Sequence, residues 1–364
     1  MVKIKEIIRA LELFASPSLQ ESYDNAGLIT GNPEWEFKAA ILSVDTIEEV
    51  VDEAINKGAN LIISHHPIVF SGLKKLNGKN YIERTIIKAL KNDIAIYAAH
   101  TNMDNVQAGV NAKICEKLNL QNCSVLAPSG KLKKLVTFIP TVQAEQVRKA
   151  VFDAGAGHIG NYDSCSYNLE GQGSFRALEG ANPFVGDIGK VHFEKEIRFE
   201  TIFPAHLQSS VISALLVSHP YEEVAYDIYP LDNVYEKIGS GMIGELEKIL
   251  PVKAFFDKIK DVFDVPCIRH TELSVKEIKK VAVCGGSGSF LLQKAISKSA
   301  DIFITGDFKY HQFFVAENRI IIADIGHYES EQFTKELFYD ILTKKFPTFA
   351  FYFSEINTNP VKYY

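Results

Sequence analysis

Short apolar runs and amphipathic stretches alternate along most of the chain. Residues 4–14 carry apolar side chains at helical spacing, whereas residues 39–44 and 61–63 are continuous apolar runs typical of buried strands. The same alternation returns after residue 235. It predicts helices at 81–91, 252–262, 290–297 and 327–342, and strands at 93–99, 279–284, 301–305, 319–323 and 348–353. Strands that alternate with helices predict an α/β fold.

The segment between the first two buried runs predicts a crossover helix at residues 46–57. Thr46 can act as its N-cap, and Glu48 and Glu49 suit the positive end of the helix dipole. Gly58 is a typical C-terminal stop. Residues 39–63 therefore predict one βαβ unit.

The pattern changes between residues 131 and 232. A strand at 135–140, a helix at 144–154, a glycine-rich tract at 155–163, alternating strands and turns, and a helix at 207–217 lead to a final strand. This order is β-α-β-β-α-β, the ferredoxin-like arrangement. We expect residues 131–232 to be an inserted α+β domain, and residues 1–130 and 233–364 to form one discontinuous core domain.

The two outer segments resemble each other. Residues 58–66 align with residues 299–307, and the next strand in each half is followed by a histidine and a carboxylate four positions apart. These pairs are His100 with Asp104 and His327 with Glu331. The echo predicts two related α/β halves with a functional site between them.

The apolar run 61–63 ends in Ser64 and the adjacent histidines His65 and His66. Ligands of open α/β sheets gather at such strand ends. Neighbouring side chains on extended chain point to opposite sides, so this pair can reach two different metal ions. An isolated pair is more often structural, and partners from elsewhere must decide the matter.

Such partners are present at two further strand ends. His327 and Glu331 open a predicted helix, where positions i and i+4 share a face, and His100 and Asp104 can do the same. Imidazole and carboxylate groups suit zinc, iron or manganese. The three clusters together predict a dinuclear site with two divalent metal ions per chain.

Composition narrows the function classes. The 364 residues are 46% hydrophobic and include 24 Phe and 15 Tyr, which indicates globular domains with ample cores. The net charge of −6, with no basic block, argues against nucleic acid as the main partner. The five cysteines show no CxxC spacing and read as reduced thiols of a cytoplasmic protein. No apolar run is long enough to span a membrane, and the N-terminus does not resemble a signal peptide.

The three clusters also resemble a known signature. Residues 64–67, 100–104 and 326–331, together with 23–28, 305–311 and 357–360, are similar to motifs of the NIF-three-like family, homologues of GTP cyclohydrolase I type 2. The resemblance covers the core segments. It implies a dimetal site in a toroidal homohexamer, with His65, His66, Asp104, His327 and Glu331 as ligands and Glu331 bridging. His100 would support the ligands or act in catalysis.

The insert resembles the PII/CutA-like domain found in longer family members, through residues 157–163 and 219–223. That resemblance implies a module that trimerises and senses a small ligand. Its histidines, His158 and His219, can be read as metal ligands or as structural residues, and the structural reading is favoured.

The family resemblance implies a hydrolase acting on a nucleotide. In the cyclohydrolase reading, a metal-bound hydroxide attacks the guanine ring, and His100 or His311 transfers a proton. The same ligands would also serve a non-enzymatic metal-handling or regulatory ring whose insert senses a small ligand. A third reading is a ring that binds DNA or protein, of which the acidic balance disfavours the DNA form.

Residues 285–288, Gly-Gly-Ser-Gly, follow a predicted strand and precede a helix. Their amides could hold a phosphate, but the spacing fits neither GxGxxG nor a P-loop. We expect a tight strand-to-helix turn.

Overall fold

The computed structural model describes all 364 residues, Met1–Tyr364. The chain forms two compact units, one made of Met1–Pro128 and Lys237–Tyr364 and the other of Ser129–Glu236. We call them the core unit and the insert unit. For comparison, the sequence placed the insert at residues 131–232.

The core unit contains two mixed sheets with helices around them. Its helices and strands before the insert are α1 (Ile4–Phe14), β1 (Gly27–Thr30), β2 (Ala39–Ser43), α2 (Glu48–Asn56), β3 (Leu61–Ser64), α3 (Tyr81–Lys91), β4 (Ala95–Ala98), α4 (Thr101–Asp104), α5 (Val110–Lys117) and the start of β5 (Leu120–Pro140).

The insert unit holds the end of β5, α6 (Ala144–Asp153), β6 (Tyr167–Arg176), β7 (Val191–Pro204), α7 (Gln208–Ser218) and the start of β8 (Tyr226–Pro251). The strand order is β6-β7-β5-β8, and the pairs β6–β7 and β7–β5 are antiparallel. This is the ferredoxin-like order that the sequence predicted. Its core brings Phe199 and Phe203 of β7 against Val147 of α6 and Val211 of α7.

After the insert, the core unit continues with the end of β8, α8 (Val252–Phe263), β9 (Arg269–His270), β10 (Glu277–Ser287), α9 (Leu292–Ser297), β11 (Ile302–Gly306), α10 (Tyr310–Phe313), β12 (Ile321–Asp324), α11 (His327–Glu331), α12 (Thr334–Lys345) and β13 (Ala350–Phe353).

The two sheets of the core unit share a plan. The first has the order β1-β4-β3-β2-β13, and the second includes β8-β10-β11-β12-β9. In each, three parallel strands (β2, β3, β4 and β10, β11, β12) are flanked by an antiparallel strand beside the third. The two sheets differ in the strand beside the first parallel strand: β13 runs parallel to β2, whereas β8 runs antiparallel to β10. The predicted α/β core of two related halves is confirmed at the level of fold.

The continuous apolar runs of these strands have a packing reason. In β10 and β11, Val281 and Ile302 lie in one hydrophobic cluster, whereas their neighbours Ala282 and Phe303 lie in another. Successive side chains point to opposite faces, so both faces of this sheet are buried. In the first sheet, Ile41, Ile62 and Ile96 share a cluster with α2 and α3.

Two local predictions were wrong. Thr46 does not cap α2, because Ile47 is the N-cap, and the buried Thr46 hydroxyl makes no hydrogen bond. The helix predicted at 327–342 is broken after Glu331 into α11 and α12. The side chain of Gln332 donates to the carbonyls of Phe263 and Glu329, which holds the chain in the break.

Candidate metal centre

Strand register brings the candidate ligands to one edge of the first sheet. Ser43 pairs with Ser64, and Ser64 pairs with Ala98, so β2, β3 and β4 end side by side. The residues that follow are Asp45, the pair His65 and His66, and His100 at the start of α4. In the second sheet, β12 leads through Gly326 into α11, which carries His327 and Glu331.

The side chains form donor groups that share one carboxylate. His65, Asp104 and Glu331 bring ligand atoms within 4.8 Å of one another, and so do His66, His327 and Glu331. Glu331 belongs to both groups and is 3% exposed. A third group of the same size joins His65, His66 and His100. The structure thus gathers all five residues that the family resemblance implied as ligands of the dimetal site.

Each of four histidines is oriented by a hydrogen bond at Nδ1. His65 Nδ1 lies 2.9 Å from the carbonyl of Ala99, and His66 Nδ1 lies 2.7 Å from Asp45 Oδ1. Carbonyl and carboxylate oxygens only accept, so these Nδ1 atoms carry the proton and donate it. The neutral rings then present Nε2 lone pairs, the form that binds a metal.

The other two histidines follow the same rule in different elements. His327 Nδ1 lies 2.7 Å from Asp307 Oδ2, and His100 Nδ1 lies 2.8 Å from Asp24 Oδ1. Asp24 also accepts from the amide and hydroxyl of Thr101. Fixed outer partners of this kind set both the tautomer and the direction of the ring.

The inner atoms fit a cation. His66 Nε2 and His327 Nε2 are 3.2 Å apart and lie 2.9 Å and 3.1 Å from Glu331 Oε2. His65 Nε2, Asp104 Oδ1 and Glu331 Oε2 are buried and lack a hydrogen-bond partner. Neutral imidazoles would direct lone pairs at carboxylate oxygens, which is repulsive without a proton or metal ion between them. The donor set therefore fits divalent metal ions.

The pKa shifts show protons competing for the same positions. Burial alone lowers the pKa of His66, but the neighbouring carboxylates of Asp45 and Glu331 raise it to about 10. Burial also lowers the pKa of His327, but the neighbouring carboxylates of Asp307 and Glu331 outweigh it and raise this pKa to about 11. The surrounding histidines hold the pKa of Glu331 well below its usual range despite its burial.

Metal uptake near neutral pH should therefore release protons. Without metal, the side chains of His66 and His327 stay protonated at pH values well above the ordinary histidine pKa of 6.5. A metal ion that binds them must displace those protons. Calorimetric titration of metal-free protein in two buffers of different ionisation enthalpy should show release of more than one proton per chain. An enthalpy that does not change with the buffer would contradict this.

A cavity of about 1010 Å³ opens onto these ligands. Its wall includes His66, His100, Asp104, His327 and Glu331. Aromatic side chains also line it, at Tyr23, Phe70, Phe290, Tyr328 and Tyr363. The Tyr23 and Phe70 rings are 6.3 Å apart, and Phe70 meets His100 edge-on at 6.3 Å. The donor groups therefore face a space large enough for a substrate.

The structure does not bring every predicted residue to the centre. His311 is exposed on α10, where its ring packs against Tyr310 and Phe314, and it does not line the cavity. In the insert unit, His219 is buried, with Nε2 at 3.0 Å from the Phe138 carbonyl and Nδ1 accepting from the Tyr221 amide. Both ring nitrogens of His219 have structural partners, as the favoured reading expected.

Sequence reasoning gave no role to the outer carboxylates Asp24, Asp45 and Asp307. Asp24 and Asp307 lie in segments that carry the family resemblance, and Asp45 follows directly on a predicted buried strand. The segment after β13 also contributes, because Thr358 Oγ1 donates to Asp45 Oδ2 at 2.6 Å and Asn359 Nδ2 donates to Glu329 Oε1 at 2.8 Å. An acidic residue at the end of a strand beside a histidine-bearing strand is the signal that could have found Asp45 and Asp307.

The Gly-Gly-Ser-Gly segment has a steric role. Residues Gly285 and Gly286 belong to the end of β10, and Gly286 has φ +63°. A Cβ at Gly286 would lie 2.3 Å from Glu331 Oε1 and 3.3 Å from His327 Cε1. The glycine thus makes room for the shared carboxylate of Glu331. The sequence analysis expected only a tight turn at this segment.

Replacing Gly286 with Ala should lower metal affinity by more than about tenfold, because Glu331 must move away from the added methyl group. Gly58→Ala is the matched control: Gly58 has φ +65°, and nothing lies within 4 Å of its Cβ position. Both variants carry the same backbone strain, of about 1–3 kcal/mol. Metal content after dialysis should fall only in the first; equal loss in both would refute the steric role.

Comparison with known proteins shows the family to which the chain belongs. The model of the Duf34/NIF3 (NGG1p interacting factor 3) family matches residues 2–360. This chain belongs to the DUF34/NIF3 family. It is 41% identical over 366 residues to a Bacillus subtilis protein named GTP cyclohydrolase 1 type 2 homolog, covering 98% of this chain and 97% of the relative.

Two solved structures share the fold over the whole chain. A Bacillus cereus protein related to NIF3 superposes with a TM-score of 0.87 at 40% identity, covering 100% of this chain and 99% of that one. A Staphylococcus aureus protein superposes with a TM-score of 0.78 at 28% identity and the same coverage. The family resemblance noted from the motifs is confirmed. No helix of this DUF34/NIF3 member combines the length and apolar character needed to cross a bilayer.

Proposed function

We propose that the chain is a dinuclear metalloprotein that hydrolyses a nucleotide. One ion would be held by His65, Asp104 and Glu331, and the other by His66, His327 and Glu331. The observation that carries the proposal is the shared carboxylate: Glu331 lies in two donor groups at the wall of a cavity of about 1010 Å³. Carboxylates bridge paired ions in hydrolytic sites of this kind.

Two bound divalent ions would supply Lewis acidity and a nucleophilic water at neutral pH. The protein's own part is to position groups around them. His100 holds its Nδ1 proton against Asp24, and one of its ring nitrogens lies within 4.8 Å of those of His65 and His66. A ring fixed in this way can take up or deliver a proton at Nε2 in the cavity. This makes His100 the favoured proton-transfer residue, and His311 has no comparable position.

The aromatic wall supports a planar substrate. Tyr23 and Phe70 are 64% and 49% exposed; their rings are tilted against each other, and the Phe70 ring lies beside His100. Exposed aromatic side chains on a cavity wall can stack against bases. The name of the relatives, GTP cyclohydrolase 1 type 2 homolog, supports a guanine nucleotide as the first substrate to test. Opening of the guanine ring is the reaction proposed for that substrate.

The test compares metal-loaded protein with variants. Protein loaded with Zn, Mn or Fe is incubated with GTP and other nucleotides, and loss of the guanine spectrum and release of formate are followed. A His65→Ala/Glu331→Ala double variant should be inactive. His100→Gln should keep both ions and lose most of its activity, because only the proton-transfer group changes.

If every metallated form is inert toward all nucleotides, the hydrolase proposal fails. The alternative, a non-enzymatic metal-handling or regulatory assembly, would then account for the same ligands. If His100→Gln instead loses metal, His100 is a ligand and not a proton-transfer residue.

We also propose that the ions are zinc, iron or manganese. We propose further that the protein is cytoplasmic and forms a homo-oligomer. In the form that the family resemblance implied, this oligomer is a toroidal hexamer whose insert units trimerise. Soluble expression with metal analysis and light scattering of the purified full chain test these points. A monomer in solution would exclude the hexamer.

A further inference from the structure

The insert unit contains a cavity of its own, of about 820 Å³. It lies between β6, the connection that follows β6, strand β7 and the segment after α7. It shares no residue with the metal centre, and the proposed hydrolase function makes no use of it. Its wall is formed mainly by apolar, aromatic and charged side chains, among them Leu169, Phe175, Leu178, Phe184, Glu196 and Tyr221.

Three aromatic rings gather on one side of this cavity. The centroid of Tyr221 lies 6.0 Å from that of Phe175 and 6.3 Å from that of Phe184, with the ring planes tilted by 59° and 50°. All three rings line the cavity, where a ligand can contact them. The faces of aromatic rings attract positive charge.

A carboxylate is buried beside the rings. Glu196 is 9% exposed, and its Oε1 accepts a hydrogen bond from the Tyr221 hydroxyl at 2.8 Å. Burial and the nearby Glu196 raise the pKa of Tyr221, so this hydroxyl remains a donor. Glu196 Oε2 accepts no hydrogen bond, although an ionised carboxylate has about four acceptor positions. Because Glu196 lines the cavity, its free oxygen can accept hydrogen bonds from a ligand there.

Strand β6 leaves room at this carboxylate. A Cβ at Gly173 would lie 2.1 Å from Glu196 Oε2 and 2.7 Å from its Cδ. Any larger residue at position 173 would displace the carboxylate from its place against β6. The glycine therefore leaves room for the Glu196 carboxylate at the cavity wall.

The cavity wall carries an excess of negative charge. The four carboxylates of the wall are Glu170, Glu196, Glu222 and Glu223, and the two cations are Arg176 and Arg198. Arg198 Nε donates to Glu200 at 2.8 Å, a carboxylate outside the wall, so its charge is partly engaged elsewhere. This balance disfavours phosphates and carboxylates as ligands.

The connection that covers the cavity is fixed by one of these acids. Glu222 Oε2 accepts from the Asn182 amide at 2.8 Å, which ties the segment carrying Leu178 and Phe184 to the segment after α7. The apolar side chains of that segment offer a surface for a ligand's hydrocarbon part. The cavity thus combines an apolar body site with a negatively charged, aromatic end.

We propose that this cavity binds a small organic ammonium compound. The ammonium group lies against Glu196 and the faces of Phe175, Phe184 and Tyr221, and the apolar or aromatic body lies along Leu169 and Leu178. Cations held between aromatic faces and a carboxylate are a common recognition mode for amines.

The proposal can be tested with three probes that share one body and differ in charge. Tyramine is a cation, tyrosol is neutral and 4-hydroxyphenylacetate is an anion at neutral pH. Calorimetric titration into the full chain should show tyramine binding about tenfold or more tighter than tyrosol. The anion should bind more weakly than either. Equal affinity for tyramine and tyrosol, or preference for the anion, would overturn the proposal.

Variants locate the binding. Glu196→Gln keeps the acceptor for Tyr221 and should abolish the preference for tyramine over tyrosol. Phe184→Ala, at a side chain that is 51% exposed, should weaken tyramine binding without affecting the fold. Glu145→Gln, on α6 and paired only with Arg148 at 3.1 Å, is the matched control and should behave like the unaltered protein. A tyramine preference that survives both Glu196→Gln and Phe184→Ala would place binding elsewhere and refute the assignment.

Discussion

Replacing Glu331 with Gln should abolish binding of both metal ions, whereas Asp104→Asn and His327→Ala should each remove one. Glu331 is the residue common to both donor groups, and its two oxygens lie near different histidines: Oε1 is 3.5 Å from His65 Nε2 and Oε2 is 2.9 Å from His66 Nε2. An amide has one oxygen and no charge, so it cannot bridge two cations. Elemental analysis after equilibrium dialysis gives the metal content of each variant.

The matched control is Glu329→Gln, on the same short helix. Glu329 is 7% exposed and its Oε1 accepts from Asn359, but it belongs to neither donor group. It should keep two ions. If Glu331→Gln also keeps two, or if Asp104→Asn alone removes both, the assignment of a shared carboxylate is wrong. In Glu331→Gln, the new amide can donate a hydrogen bond to a neighbouring imidazole nitrogen. We therefore expect this variant to lose metal while it keeps its fold.

Returning metal to chelator-treated protein should raise the melting temperature strongly. Each ion that binds only the folded state adds about 4 kcal/mol at a thousandfold excess over its Kd. At about 2–4 °C per kcal/mol, two ions shift the transition by more than about 10 °C. Differential scanning calorimetry with and without Zn measures it, and Glu331→Gln should show no shift.

The size of this shift should depend on pH in one direction. In metal-free protein the folded-state pKa of His66, about 10, lies above the ordinary value of 6.5. Protonation of this ligand therefore stabilises the metal-free fold fully below about pH 6.5, and that contribution is lost as pH rises toward about 10. Metal replaces the missing protons, so stabilisation by metal should grow with pH above neutrality. A shift that shrinks over this range would contradict the proton competition.

The fold was predictable because its parts are locally encoded. The run 61–63 is continuously apolar and the helix at 4–14 has apolar residues at helical spacing, and the helix bounds Ile4–Phe14 match the structure. The relation between His100/Asp104 and His327/Glu331 was visible because each pair occupies one turn after a strand. Where tertiary contacts decide, prediction was wrong: Thr46 faces a buried interior without a partner, and α11 breaks where Gln332 bonds to Phe263.

The remaining parts of the site depend on distances in three dimensions. Asp45 and Asp307 serve as outer partners only because His66 and His327 point toward them across separate loops. Gly286 matters because β10 passes Glu331 at close range, a fact that spacing in the sequence does not contain. His311 was predicted at the site because it belongs to the motif at residues 305–311, but the structure places it on an exposed helix.

The donor group of His66, His327 and Glu331 joins distant parts of the chain. His66 and His327 are 261 positions apart, and their Nε2 atoms are 3.2 Å apart. During synthesis, the nascent chain exposes His65, His66 and Asp104 long before Glu331 exists. The complete binding site therefore arises only when the second half has folded against the first. In the proposed dimetal form, metal binding would come late in folding, and the loop that it closes would stabilise the finished core unit as a long cross-link does.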